Sequence, residues 1–132
     1  MHPFYIMTIQ NLTELRNILL ALHKELLEYQ KQIYEATVGP INSPNQYYNL
    51  VVNDSNFAWL RTLSALVISI DEALEAKQAP DVKTIRGIFS YTKKLLTATG
   101  FGDTFETHYV TAIQKNAHVS LMHGKIMQLL QM

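Results

Sequence analysis

The chain has 132 residues, 48% of them apolar, with eleven basic side chains balancing eleven acidic ones and no cysteine. That length suits one domain, able to bury roughly two-thirds of its unfolded surface without staples. Zero net charge argues against a nucleic-acid or other polyanion binder, and the lack of thiols excludes disulfides, thiolate nucleophiles and cysteine-held zinc. Charged residues make up only 17%, against a usual value of about 25%, a deficit that points to surface taken up by contact. Residues 1–79 carry five Lys/Arg against eight Asp/Glu and residues 80–132 six against three, so −3 and +3, a mild dipole and not a basic patch.

Met1 to Met7 is too short for a signal h-region, and no Lys or Arg precedes Arg16. No run approaches 18 apolar residues, so no membrane span is expected. The expectation is a cytoplasmic protein. Asn11, with Glu14 three residues on, predicts a capped helix over 11–37. Leu12, Leu15, Leu19, Leu22, Leu26, Tyr29, Ile33 and Ala36 alternate steps of three and four, a heptad seam. A second row, Leu20, Leu27 and Tyr34, recurs every seven residues about 100° to one side.

Gly39 and Pro40 stop this helix. Ser43-Pro44-Asn45-Gln46 predicts a second, short helix over 44–52, with proline at its first position. Asp54 or Ser55 then caps the densest apolar stretch of the chain, Phe57 to Lys77, predicted as a central helix over 56–77 around which the rest is organised. Leu60, Leu63, Val67, Ile70 and Leu74 form its core face, widened by Trp59, Leu66 and Ala73. Arg61, Ser64, Asp71, Glu72 and Glu75 gather opposite, interrupted by Phe57 and Ile68. Arg61 and Asp71 lie along one flank, too far apart to pair directly, so each is expected to meet a partner on a neighbouring element.

After a turn at Gln78–Asp81, Val82, Ile85, Ile88, Phe89, Leu95 and Leu96 predict a helix over 82–97. Gly87 in its middle costs about 1 kcal/mol relative to alanine, which suggests close packing there. Asp103 and Glu106 offer a capping box for a helix over 104–115 with Phe105, Tyr109, Ala112 and Ile113 inward. Asn116 interrupts it, and a last helix over 117–131 follows with Val119, Met122, Ile126, Leu129 and Leu130 inward. The chain reads as all-α, an antiparallel bundle of four main helices with short extra ones, in a single domain.

The segment Phe57-Ala-Trp-Leu-Arg61, Leu63-Ser64, Leu66 and Ile70-Asp-Glu-Ala-Leu74 resembles a group of small uncharacterised bacterial helical proteins. Gly39-Pro40, Ser43-Pro44 and Asn53-Asp54 fit the same group, so the resemblance covers mainly the middle third. It implies a bacterial helical protein and carries no catalytic residue across. Members often have proline where this chain has Thr62, a residue that would start or kink a helix there.

No motif specifies a reaction. A di-metal carboxylate bundle needs Glu-x-x-His pairs, and none is present. His118 and His123 are five apart, the wrong spacing for one helical face; His23 and His123 read as hydrogen-bonded, partly buried imidazoles. Gly100-Phe-Gly102 lacks the third glycine and the preceding strand of a dinucleotide fingerprint. No catalytic residue, metal ligand or cofactor is therefore assigned. The reading is a non-catalytic protein-interaction or assembly role, as a homodimer with Leu20, Leu27 and Tyr34 in the interface, or with another protein partner. The alternative is a small-ligand sensor, with a pocket or polar network at Trp59, Arg61, Asp71 and Tyr47.

Overall fold

The computed structural model describes residues 8–97 and 104–131. Among them are six α-helices and one 3-10 helix, and no strand: α1 (Ile9–Thr37), α2 (Pro44–Asn53), the 3-10 segment Ser55–Leu60, α3 (Arg61–Glu75), α4 (Val82–Leu96), α5 (Thr104–Lys115) and α6 (Ala117–Leu130). The chain is all-α. The capping box expected at Asp103, and the Gly100-Phe-Gly102 loop, lie outside the described residues.

The ends of the helices follow from short polar side chains. Thr8 caps α1, its hydroxyl accepting from the Asn11 amide at 3.1 Å while the Asn11 side chain accepts from the Thr8 amide at 3.0 Å. Asn11 is thus the third helical residue of the box and not its cap; the apolar count starts at Leu12 and does not see the turn before it. Ser43 caps α2 with Pro44 at its first position, and Asp54 and Asp81 accept from the amides of Asn56 and Thr84, both at 2.8 Å. Asn116 caps α6 through the amides of His118 and Val119.

It is α1, rather than the Phe57–Lys77 stretch, that the fold is organised around: it packs against α6, α3 and the 3-10 segment. Leu12, Leu15, Leu19, Leu22 and Leu26 are wholly buried. Beyond Leu26 the seam departs from a strict heptad. The next buried residue is Gln30, whereas Ile33 is 37% exposed and Ala36 lies on the surface. A straight helix drifts by about 20° per heptad, which carries the buried line from Tyr29 and Ile33 towards Gln30 and Tyr34.

The central helix is also two elements, not one. Its first turns wind as 3-10, at three residues per turn, which sets Phe57 directly below Leu60. Phe57 therefore faces the interior and is wholly buried, where an α winding would leave it at the edge of the polar side. The α winding then begins at Arg61, with Thr62 next to it and no proline. Two pairs fix how α3 lies on α1. Arg16 Nε donates to Asp71 Oδ1 at 2.7 Å, and His23 Nε2 meets Ser64 Oγ. One partner number rises as the other falls, so the two helices run antiparallel. The Arg16–Asp71 pair is about one-third exposed on both sides and contributes at most about 1 kcal/mol; it fixes register.

Gly87 is not a close-packing site. A Cβ added there would meet nothing within 4 Å, because α3 and α4 scarcely touch and an open groove of about 440 Å³ runs between them past Leu66, Gly87 and Ile88. Gly87→Ala should therefore stabilise the protein by about 0.5–1 kcal/mol, the helix-propensity difference alone. A urea midpoint that moves downward would show a crowded backbone instead. Val82, expected inward, is 44% exposed at the first turn of α4, whereas Thr92, not expected inward, is buried.

Candidate functional site

Two surfaces stand out, and neither is the grouping expected from the sequence. Arg61, Asp71, Trp59 and Tyr47 are not brought together. Arg61 Nη2 donates to the Asp54 carbonyl at 3.0 Å, closing the end of α2, and Asp71 is held by Arg16 on α1. Trp59 is 2% exposed and its Nε1 donates to Gln30 Oε1 at 2.9 Å. Tyr47 packs edge-on against Phe57, with Lys31 Nζ 5.3 Å from its ring centre. Four residues that share a short stretch of sequence thus serve four different neighbours.

The first surface is the outer face of α3. Arg61, Ala65, Ile68 and Glu72 are all exposed and step by four, three and four along it. Ile68, a large apolar side chain, is 56% exposed. Leu20 on α1, 44% exposed, joins it, since the register set by Arg16–Asp71 and His23–Ser64 places Leu20 beside Val67 and Ile68. The other two residues of the expected interface row belong elsewhere. Leu27 and Tyr34 pack against the chain's own core, and the Tyr34 ring lies 5.9 Å from that of Phe57. α2 in turn folds onto the 3-10 segment and brings Tyr47 beside Lys31 of α1. Sequence spacing alone could not place these contacts.

The second surface is a cleft of about 530 Å³ between α1, the start of the 3-10 segment and α5, lined by Tyr29, Gln30, Ile33, Asn56, His108 and Lys115 among others. The His108 ring on its wall stacks on the buried Trp59 indole at 5.0 Å with 16° between planes. Behind it the Trp59 ring meets Phe105 at 5.9 Å, Phe105 stacks on Tyr109 at 5.2 Å, and Tyr109 Oη shares a hydrogen bond of 2.9 Å with His123 Nδ1. That last bond joins residues fourteen apart, which a continuous helix would hold about 21 Å from each other; the break at Asn116 folds α6 back on α5. Sequence reading missed Gln30 and His108. A buried glutamine opposite a lone tryptophan carries no local signal.

Among the described residues no group of histidines and carboxylates could hold a metal ion, and no helix is long and apolar enough to cross a membrane. Burial lowers the pKa of His23, His108 and His123 from the ordinary 6.5 and raises that of Tyr109. All three imidazoles are therefore neutral in the fold at neutral pH. Because their folded values lie below the unfolded one, the unfolded chain binds these protons first. Their contribution is intact above about pH 6.5 and is lost as the pH falls through the lowered folded values. Urea unfolding at about pH 7.5 and about pH 5.5, where carboxylates of ordinary pKa remain largely ionised, should show a clear loss of stability on acidification. A flat profile would mean that the imidazoles are solvated.

Compared with protein-family models, curated proteins and solved structures, the chain matches none. The function is therefore argued from the two surfaces alone.

Proposed function

We propose that this protein is a non-catalytic assembly protein, an antiparallel bundle of four main helices that pairs with a second copy of itself through the outer face of α3. The observation that carries the reading is the sequence of exposed residues on that face. A two-fold axis crossing α3 between Leu66 and Val67 sets residue 61 of one copy against residue 72 of the other, and residue 65 against residue 68. Arg61 then meets Glu72, and the small Ala65 meets the large Ile68, each contact occurring twice. Such self-complementarity is what an isologous interface requires. The heptad steps of the stripe suit an antiparallel helix pair, and Leu20 extends its apolar centre. A cytoplasmic, bacterial setting is consistent with the resemblance noted for the 57–74 segment, and this chemistry needs no cofactor, nucleic acid or membrane.

The test is sedimentation of the full chain and four variants. Ile68→Glu should yield a monomer, because it places two carboxylates at the centre of the pair. Arg61→Glu and Glu72→Arg, each of which brings like charges together, should weaken association about tenfold. The double variant restores opposite signs and should recover it. A wild type that is monomeric at tens of micromolar, or a double variant no better than the singles, would sink the reading.

A further inference from the structure

We infer that the cleft between α1, the 3-10 segment and α5 is a binding site for a small organic acid, its carboxylate held by Gln30 and Lys115. The Trp59–Gln30 bond fixes which way the glutamine amide faces. An indole N–H can only donate, so the Gln30 oxygen is the atom that faces Trp59 and the Gln30 NH2 points the other way. Gln30 is 4% exposed, yet that NH2 has no hydrogen-bond partner among the described residues. No side-chain nitrogen or oxygen of theirs is both sealed from solvent and unpartnered, so the NH2 must open onto the cleft that Gln30 lines.

The NH2 is reached from the cleft, and the oxygen on the same amide is held in place by Trp59. The NH2 is a fixed donor, prepared for an acceptor. Lys115 lines the same cleft and forms no ion pair among the described residues, and none of the lining side chains is acidic. Asn56 Nδ2 donates one of its two hydrogens to Asp54 Oδ1 at 2.9 Å. One ammonium and one amide NH2 match the two oxygens of a carboxylate, and inorganic phosphate is the competing anion that the titration below tells apart. Ile33 and the His108 ring, seated on Trp59, give an apolar wall for the rest of the molecule, and the volume falls within the range of small-molecule sites. This inference is independent of the self-association proposed above, which uses none of the residues that line the cleft.

Two resonances read the site directly in a nitrogen–proton correlation spectrum: the single indole N–H, and the Gln30 side-chain NH2 that lies against it. Titration of the full chain with benzoate and, separately, hexanoate should shift the Gln30 NH2 saturably, with benzamide inert. Lys115→Gln, at the surface, should weaken binding about tenfold. Gln30→Glu keeps an oxygen for Trp59 but replaces the donor by an acceptor, and should abolish it. No saturable shift with either acid, an unchanged affinity in Lys115→Gln, or equal displacement by inorganic phosphate would overturn the assignment.

Discussion

Trp59→Ala should lower the unfolding free energy by about 3–5 kcal/mol. The indole is 2% exposed and lies between the rings of Phe105 and His108, so its removal leaves a cavity whose walls belong to α1, α5 and the 3-10 segment and cannot collapse together. A second cost adds to the cavity. Gln30 is held inside by its bond to Trp59 Nε1, and its oxygen loses its partner, for about 1–3 kcal/mol of the total. Trp59→Phe separates the two effects: it retains most ring contact, loses the donor and should cost about 1–3 kcal/mol. The measurement is urea unfolding followed by far-ultraviolet circular dichroism, since the fluorophore itself is removed. A loss below about 1 kcal/mol for Trp59→Ala would show that the indole anchors nothing.

Much of the fold is legible in the residues. Leu12 to Leu26 fall on one helical face, and all five leucines of that line are wholly buried. Ser43, Asp54, Asp81 and Asn116 mark helix starts because a short side-chain oxygen must satisfy the free amides there. What the residues do not display is any feature decided by a distant partner. Gln30 reads as one more solvated glutamine until Trp59, 29 residues later, meets it. Leu27 and Tyr34 read as spare apolar surface until they are seen packed against the core, Tyr34 on the Phe57 ring. Gly87 invites a close-packing explanation, because helix propensity reports the cost of glycine and not the presence of a neighbour. The exposed stripe on α3 was half visible: Ile68 interrupts the polar side in sequence, but Arg61, Ala65 and Glu72 acquire meaning only once the 3-10 segment ends and fixes where the α winding begins.

Phe57 shows how much rests on that change of winding. Phe57→Ala should cost about 3–5 kcal/mol, and the loss should be local before it is global. α2 has no buried residue of its own. It is held by Tyr47, Leu50 and Val51 against the core, and the Phe57 ring stands between Tyr47 at 6.1 Å and Tyr34 at 5.9 Å. Removing that ring takes away what α2 rests on, while the leucines of α1 keep their contacts with α3 and α6. Isolated ten-residue helices are marginal in water, so α2 should unravel once undocked. Amide exchange in Phe57→Ala should therefore accelerate across residues 44–53 by far more than in α6. Tyr47→Ala, which removes a half-buried ring and leaves Phe57 in place, should loosen the same helix at a smaller global cost of about 1–2 kcal/mol. Uniform acceleration across α2 and α6 in Phe57→Ala would show that the segment is part of one cooperative core, and that Phe57 is a general packing residue rather than the support for α2.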